Sequence, residues 1–300
     1  MSELPDHHIL LSIKDLSLAA RRTIDGFMAG INKSQVKGPG LEFSQYRSYQ
    51  PGDDLRWLDW KRYARSDRYY IRESEVETSI SIRLLVDASN SMNHKDDLSG
   101  KTFTKIEYAR LLAASLGWLA YMQGDSLGLY VFRGGEVFSL PSRKDPQHLA
   151  RFFHHLEGIT PGGKMGSPLA YKHIFSGETR RELLIFITDM YEEEGEISRL
   201  LEVLASMRHE ILLFHVMGRN ELENDFPGYS RMEDLETGEQ VPVTGRGRSA
   251  DVYAENLQRW LSAVRMRLLD KQIVYQLMRM DQPMDQAIRD FLKQRQGMRS

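Results

Sequence analysis

Short apolar runs alternate with longer amphipathic segments in the part of the chain that begins at Ser79. The apolar runs occupy residues 79–87, 125–132, 181–189 and 209–217. Short apolar runs are typical of buried strands, whereas apolar residues that recur every three or four positions are typical of amphipathic helices. The alternation predicts βαβ units and therefore an α/β fold, in which helices cover both faces of a doubly wound, mostly parallel sheet.

One acidic residue and two hydroxyl residues follow one another at intervals of two where the first apolar run ends. They are Asp87, Ser89 and Ser91. Residues two apart near a strand end point in the same direction, so these side chains are expected to lie together. Oxygen ligands completed by waters suit Mg²⁺, and also Mn²⁺ or Ca²⁺. The alternative is purely structural, with an Asx turn or a cap on the next segment.

Further oxygen ligands are predicted at the same edge of the sheet. Asp189 ends the run at 181–189, and the carboxyl ends of parallel strands share one edge. A Gly-rich segment at 160–169 is predicted to lead into a helix and to bring Ser167 to that edge. The sequence therefore predicts a divalent cation site formed by Asp87, Ser89, Ser91, Ser167 and Asp189.

The charge of this predicted site suggests how it would be used. Only Asp87 is charged among the first three ligands, which leaves the ion able to accept a carboxylate from another molecule. Asp87 is expected to face solvent at the strand end, so that its replacement by alanine would leave the fold largely intact.

The chain divides into two predicted domains. Residues 1–78 comprise an amphipathic helix at 12–31 and a small β-rich module, and residues 79–300 form the α/β domain. The alternation breaks near 221–249, where turn sequences flank short runs, so a β-hairpin insertion is predicted. The pattern then resumes with a helix at 254–269, a strand at 272–278 and a helix at 285–293.

Composition excludes several kinds of site. The chain has no cysteine, which excludes disulfides, thiolate catalysis and zinc sites built on sulfur. Its formal net charge of -2 gives no overall attraction to nucleic acid or to an anionic membrane. The N-terminus lacks a signal-peptide layout, and no apolar stretch has the length of about eighteen residues that a membrane span needs. We therefore expect a soluble, cytoplasmic protein.

Three segments of the chain resemble a known kind of metal site. The segment Asp87 to Met92, the loop at 166–169 and the strand end at 187–189 are similar to the three loops of a metal-ion-dependent adhesion site in a von Willebrand factor A domain. The middle loop of such sites usually supplies a threonine, whereas this chain has Ser167 in the best-matching position.

A second resemblance is more specific. The segments GPGLEF at 38–43, RSYQPGDD at 47–54 and RWLDW at 56–60 are similar to the signature of the domain of unknown function 58 family. That resemblance runs from about Leu16 to Arg295. It implies a bacterial protein with a von Willebrand factor A-like domain that acts with a MoxR-type AAA+ ATPase in the assembly or maturation of other proteins. The protein would then be a non-catalytic interaction module whose metal ion takes an acidic residue from its partner.

Two other functions compete with this hypothesis. A metal-dependent hydrolase could use the same ion to activate water, although no general base is evident beyond His94 and Lys164, which lie near the loops in sequence. A single-stranded nucleic-acid binder could use residues 56–72, where basic and aromatic residues interleave. In the competing structural interpretation, Trp57 and Trp60 instead attach this module to the α/β domain.

Overall fold

The computed structural model of the chain describes residues 10–33, 46–48, 70–72, 79–98, 100–166, 181–207, 209–223, 231–233, 235, 240–242 and 248–297. The strands are β1 (Tyr46–Ser48), β2 (Tyr70–Arg72), β3 (Ser81–Asp87), β4 (Lys95–Leu98), β5 (Lys101–Thr104), β6 (Ser126–Arg133), β7 (Glu136–Arg143), β8 (Leu183–Thr188), β9 (Glu210–Met217), β10 (Arg231–Glu233), β11 (Gln240–Pro242) and β12 (Val274–Arg279). The helices are α1 (Leu16–Lys33), α2 (Lys105–Met122), α3 (Pro146–Glu157), α4 (Glu196–Ser206), α5 (Arg219–Glu223), α6 (Arg248–Asp270) and α7 (Asp285–Gly297).

A six-stranded sheet forms the centre of the described part of the chain. Its strands lie in the order β12-β9-β8-β3-β6-β7. Neighbouring strands are parallel except for β6 and β7, which form an antiparallel hairpin. The chain thus runs outwards from β3 to one edge and then from β8 to the other. This is the doubly wound order, which places a crevice between β3 and β8.

Both faces of this sheet are covered by helices. Alternate residues of a strand point to opposite faces. Leu84 and Val86 of β3 join a core cluster with residues of α1, α2, α3 and α7, whereas Leu85 joins a second cluster with residues of α4 and α6. Because both faces are buried, the strands have continuous apolar sequences. The predicted α/β fold, with a mostly parallel sheet between helices, is confirmed.

The N-terminal helix packs against the α/β domain. Ala20 and Ile24 of α1 are fully buried in the same core cluster as residues of α2. The backbone N–H of Leu16 donates to Glu157 Oε1 at 3.2 Å, which joins the start of α1 to the end of α3. A helix was predicted at 12–31, and α1 begins four residues later and ends at Lys33. The apolar face of α1 is buried against α2 of the α/β domain.

Three short antiparallel strand pairs of the described residues lie outside the central sheet, and β4 with β5 is one of them. In the N-terminal segment β1 pairs with β2 in antiparallel fashion, and β10 pairs with β11 in the same way within residues 221–249. The tryptophans proposed to attach the N-terminal module, Trp57 and Trp60, lie outside the described residues.

Strands β4, β5 and β7 were not predicted from the sequence. The edge strand β7 exposes about every second residue and contains Pro141, so it has no apolar run. The hairpin of β4 and β5 is rich in charged and polar residues, and just two of the four residues of β4 are buried. These strands form because neighbouring segments supply hydrogen-bond partners for their backbones. The pattern of apolar residues in the sequence does not reveal such pairing.

No helix in the described part of the chain combines the length and apolar character needed to cross a bilayer.

Candidate metal centre

The predicted site residues lie at the crevice between β3 and β8. Asp87 is the last residue of β3, and Asp189 directly follows β8. The two strands are adjacent and parallel, so their carboxyl ends bring both carboxylates to one edge of the sheet. This is the point at which the strand order reverses, where doubly wound proteins bind their ligands.

The segment after β3 turns back on itself and brings its hydroxyl groups together. The backbone N–H of Ser89 donates to Asp87 Oδ1 at 2.9 Å, and residues 90–93 form one turn of 3₁₀ helix. Ser89 Oγ then lies 3.0 Å from Ser91 Oγ, and Ser91 Oγ donates to Asp189 Oδ1 at 3.1 Å. The structure therefore joins these four predicted ligands in a continuous chain of hydrogen bonds.

Asp87 does not face solvent, which corrects the expectation from the sequence. Its exposed fraction is 0%, and those of Ser89, Ser91 and Asp189 are 1%, 6% and 4%. The hydroxyl of Thr188 donates to Asp87 Oδ2 at 2.7 Å. Asp87 was expected at a solvent-facing strand end, but its side chain is fully buried. Asp87→Ala would therefore leave two buried donors without their acceptor, and a cost of about 1–3 kcal/mol is expected.

The Gly-rich loop is held against the first loop of the site. The N–H of Gly162 donates to the carbonyl of Ala88 at 2.9 Å, and the N–H of Asn90 donates to that of Gly163 at 2.8 Å. Gly163 has φ +65°, and a Cβ there would lie 2.7 Å from the Cα of Gly134. Glycine is needed at this close approach. Ser167, the predicted ligand from this loop, lies outside the described residues.

The two carboxylates have different electrostatic environments. Burial and the neighbouring Asp189 raise the pKa of Asp87 to about 6. Burial also opposes ionisation of Asp189, but the ammonium of Lys105, 2.9 Å from Asp189 Oδ2, outweighs it and holds the pKa of Asp189 below its ordinary value. Asp189 thus has an ionic partner, whereas Asp87 is held by hydrogen-bond donors. Added positive charge at this point would favour the ionised form of Asp87.

Without divalent ions, ionisation of Asp87 is expected to destabilise the fold as pH rises. Between the ordinary pKa of 3.8 and the folded value of about 6, the folded state binds more protons than the unfolded state. Each pH unit in that window then removes up to about 1.4 kcal/mol from the free energy of unfolding. Urea unfolding in EDTA, at about pH 4.5 and about pH 7, should show wild type losing stability relative to Asp87→Asn. Equal pH dependence of the two proteins would contradict this.

Several residues around the site were missed by sequence reasoning. Lys105 and Glu221 form an ion pair with each other next to Asp189, and Thr188 orients Asp87. His215 lies beside Thr188 on β9, where burial lowers its pKa to about 3 and keeps the imidazole neutral. One signal was available, because a lysine at the first position of a helix opposes the helix dipole.

The side chains considered as general bases have other partners. His94 Nε2 lies 2.9 Å from Asn220 Oδ1, and the ammonium of Lys164 donates to Glu193 Oε2. An ammonium group has no lone pair and cannot accept a proton. The described loops therefore offer weak support for activation of a water molecule by either residue.

The chemistry of the donor set fits a hard divalent cation. The converging atoms are carboxylate and hydroxyl oxygens, which suit Mg²⁺ more than a metal that prefers nitrogen or sulfur. In the residues that the structure describes, no group of three or more His, Cys, Asp or Glu is placed to hold a metal. A cation at this site would therefore depend on two carboxylates supplemented by hydroxyls.

The family of the chain follows from comparison with known sequences. The model of the family described as "Protein of unknown function DUF58" matches residues 45–259. The chain belongs to this family. It is also similar to the "Uncharacterized protein Rv1480" of Mycobacterium tuberculosis, with 27% identity over 241 residues that cover 79% of this chain and 74% of the relative.

Solved structures similar to this DUF58 protein have low sequence identity to it. The conserved hypothetical protein BatB from Bacteroides thetaiotaomicron has 19% identity and a TM-score of 0.46, covering 73% of this chain and 100% of that one. The SpRpn10 VWA domain has 12% identity and a TM-score of 0.36, covering 72% and 95%. The strand order and helix layers of the chain itself define its fold.

Proposed function

We propose that this DUF58 protein is a non-catalytic protein-interaction module that binds a partner through a divalent cation. The observation that carries the proposal is the buried chain of hydrogen bonds that links Asp87 through Ser89 and Ser91 to Asp189. These residues would hold the ion, most readily Mg²⁺, with Mn²⁺ or Ca²⁺ as alternatives. Ser167 is proposed as a further ligand from the Gly-rich loop.

The chemistry of the site supports recognition of an acidic residue. A hard cation prefers oxygen ligands, and the protein supplies two carboxylates, one of which is already paired with Lys105. A bound ion would therefore retain enough positive charge to attract a carboxylate from another protein. At a largely buried site that attraction is stronger than in water, because the effective dielectric constant is lower.

The proposed partner is a MoxR-type AAA+ ATPase, and the proposed role is the assembly or maturation of other proteins. This part of the proposal rests on the resemblance to the family. The protein would supply the docking site and the ATPase would supply the energy of nucleotide hydrolysis.

A metal-dependent hydrolase is the competing function. It would use the same residues to hold an ion that activates water. The engagement of His94 by Asn220 and of Lys164 by Glu193 favours the non-catalytic proposal. A binder of single-stranded nucleic acid through residues 56–72 is a third possibility, and residues 56–69 of that segment lie outside the described part of the chain.

Affinity capture from the native host tests the proposed function. The tagged wild-type protein is expected to recover a MoxR-type ATPase in buffer with Mg²⁺ and to lose it when EDTA is added. Asp87→Asn should fail to recover the ATPase in either buffer. Asp97→Asn makes the same chemical change at an exposed carboxylate of β4 and should behave as wild type.

Other outcomes of the same experiment point to the alternatives. Equal recovery of the ATPase in Mg²⁺ and EDTA would exclude a metal-dependent contact. Hydrolysis of p-nitrophenyl phosphate or casein by the purified protein, lost in Asp87→Asn, would instead favour the hydrolase. Binding of an oligonucleotide that weakens steeply with salt would favour the nucleic-acid binder.

A further inference from the structure

Lys105 occupies a position that its own helix disfavours. It is the first residue of α2, and a positive charge at a helix N-terminus is opposed by the helix dipole. Its exposed fraction is just 4%, so water does not compensate the charge. A capping box formed by Thr104 and Glu107 stabilises this end of the helix, which does not depend on Lys105 for its start. The reason for a lysine here must lie in other parts of the fold.

Two carboxylates from distant parts of the chain hold the ammonium group of Lys105. Its Nζ donates to Asp189 Oδ2 at 2.9 Å and to Glu221 Oε1 at 2.8 Å. Glu221 is itself fixed, because its Oε2 accepts the N–H of Gly218 at 2.7 Å. Two carboxylates within 2.9 Å of the ammonium nitrogen offset the cost of burying its positive charge. Lys105 therefore remains a cation inside the protein.

The ammonium lies on the side of Asp189 that faces away from the predicted ligands. Asp189 Oδ2 contacts Lys105, whereas Oδ1 accepts the hydroxyl of Ser91. The Asp189 carboxylate is thus held in an orientation that presents Oδ1 to the other oxygen donors. Lys105 also supplies one positive charge beside two buried acids, Asp87 and Asp189, whose mutual repulsion would otherwise oppose their close approach.

We propose that Lys105 is the resident counter-cation of the metal centre. It keeps the centre assembled when no divalent ion is bound, and it weakens the binding of that ion by electrostatic repulsion. The second carboxylate, Glu221, moderates this repulsion because it shares the charge of Lys105. The proposal rests on the proposed function, since it concerns the affinity of the same site for its ion. The centre would bind its ion reversibly, with an affinity determined by Lys105 and Glu221 as well as by the ligands.

Substitution of the two residues should shift Mg²⁺ affinity in opposite directions. Lys105→Met keeps an unbranched side chain and removes the charge, and it is expected to bind Mg²⁺ at least about tenfold more tightly than wild type. The same variant should unfold at a lower temperature than wild type in EDTA and gain more from added Mg²⁺. Glu221→Gln leaves the charge of Lys105 less compensated and should bind Mg²⁺ several-fold more weakly. Isothermal titration calorimetry measures the affinities.

The control removes the charge of a different lysine near the site. Lys95 is exposed on β4, so Lys95→Met should leave Mg²⁺ affinity and stability in EDTA unchanged. Residues that merely filled space would not shift affinity in opposite directions when their charges are removed.

Several results would overturn the proposal. Unchanged or weaker Mg²⁺ binding by Lys105→Met, with wild type binding normally, would refute the role of Lys105 and leave the proposed function standing. Absence of Mg²⁺, Mn²⁺ and Ca²⁺ binding by wild type would refute both. If Lys105→Met does not fold in EDTA, recovery of the fold on addition of Mg²⁺ would support the proposal. If it folds in neither buffer, Glu221→Gln decides, and unchanged or tighter Mg²⁺ binding by that variant would refute the role.

Discussion

Asp87→Asn is expected to lower the affinity of the chain for Mg²⁺ by at least about 100-fold while leaving it folded. The amide is nearly isosteric with the carboxylate, and its oxygen can still accept the N–H of Ser89. The hydroxyl of Thr188, which donates to the carboxylate, can accept a bond from the new amide instead. The substitution therefore removes the charge of a buried ligand without removing its packing.

The same variant should be more stable than wild type in EDTA at neutral pH. Asp87 has a pKa of about 6 in the folded protein, against an ordinary value of 3.8, so its ionisation at pH 7 opposes folding. Removal of that charge is expected to raise the free energy of unfolding by up to about 3 kcal/mol. Calorimetric titration with Mg²⁺ and urea unfolding in EDTA measure the two effects. Asp97→Asn, at an exposed carboxylate, is the control for both.

Loss of stability together with unchanged Mg²⁺ affinity in Asp87→Asn would assign this residue a structural role. The predicted Asx turn would then be sufficient to explain the hydrogen bond from Ser89. Loss of Mg²⁺ binding without loss of stability would support the metal centre.

Asp125→Ala is expected to lower the free energy of unfolding by about 3–5 kcal/mol. The Asp125 carboxylate is 1% exposed and binds the guanidinium of Arg295 through both oxygens. It also accepts the backbone N–H of Ile80, directly before β3. Its loss would leave a buried guanidinium without a counter-ion and a buried N–H without an acceptor. Asp125 thus joins Arg295 of α7 to the N-terminal end of β3. Its removal should loosen both elements.

Urea unfolding of a double-mutant cycle separates the cost of the unpaired guanidinium from the cost of the unpaired N–H. Arg295→Met in addition to Asp125→Ala removes both charges, and the double variant should recover part of the stability that Asp125→Ala loses. Lys271→Met is the control, because it breaks an ion pair between the half-buried Lys271 and the exposed Glu202 and should cost less than about 1 kcal/mol. A cost below about 1 kcal/mol for Asp125→Ala would mean that water reaches the pair in solution.

The predicted strands at the centre of the sheet share one physical property. Their residues 84–86 in β3 and 183–187 in β8 are apolar at every position because helices cover both faces of the sheet. Burial on both faces requires apolar residues at consecutive positions, and this pattern is visible in the sequence. The edge strand β7 has one partner strand and a largely exposed face, so its sequence has no run of apolar residues. The hairpin of β4 and β5 escaped prediction for the same reason.

The candidate site shows the same division at the level of single residues. Asp87 and Asp189 were identified because each ends an apolar run, and parallel strands that share an edge must bring such residues together. The exposure of Asp87 was predicted wrongly, since the environment of its carboxylate depends on residues distant in sequence such as Thr188. Thr188 was missed because its hydroxyl acquires a role through Asp87, 101 residues earlier in the chain.

Periodicity and the residues at strand ends were enough to determine the doubly wound α/β fold and the edge that carries Asp87, Ser89, Ser91 and Asp189. These features are local, because burial of a strand and the direction of its side chains are repeated every few residues. The tertiary structure alone decided the electrostatic state of the site. Lys105 reaches Asp189 and Glu221 across 84 and 116 residues of sequence, and a pairing over such distances exists only after the sheet has assembled.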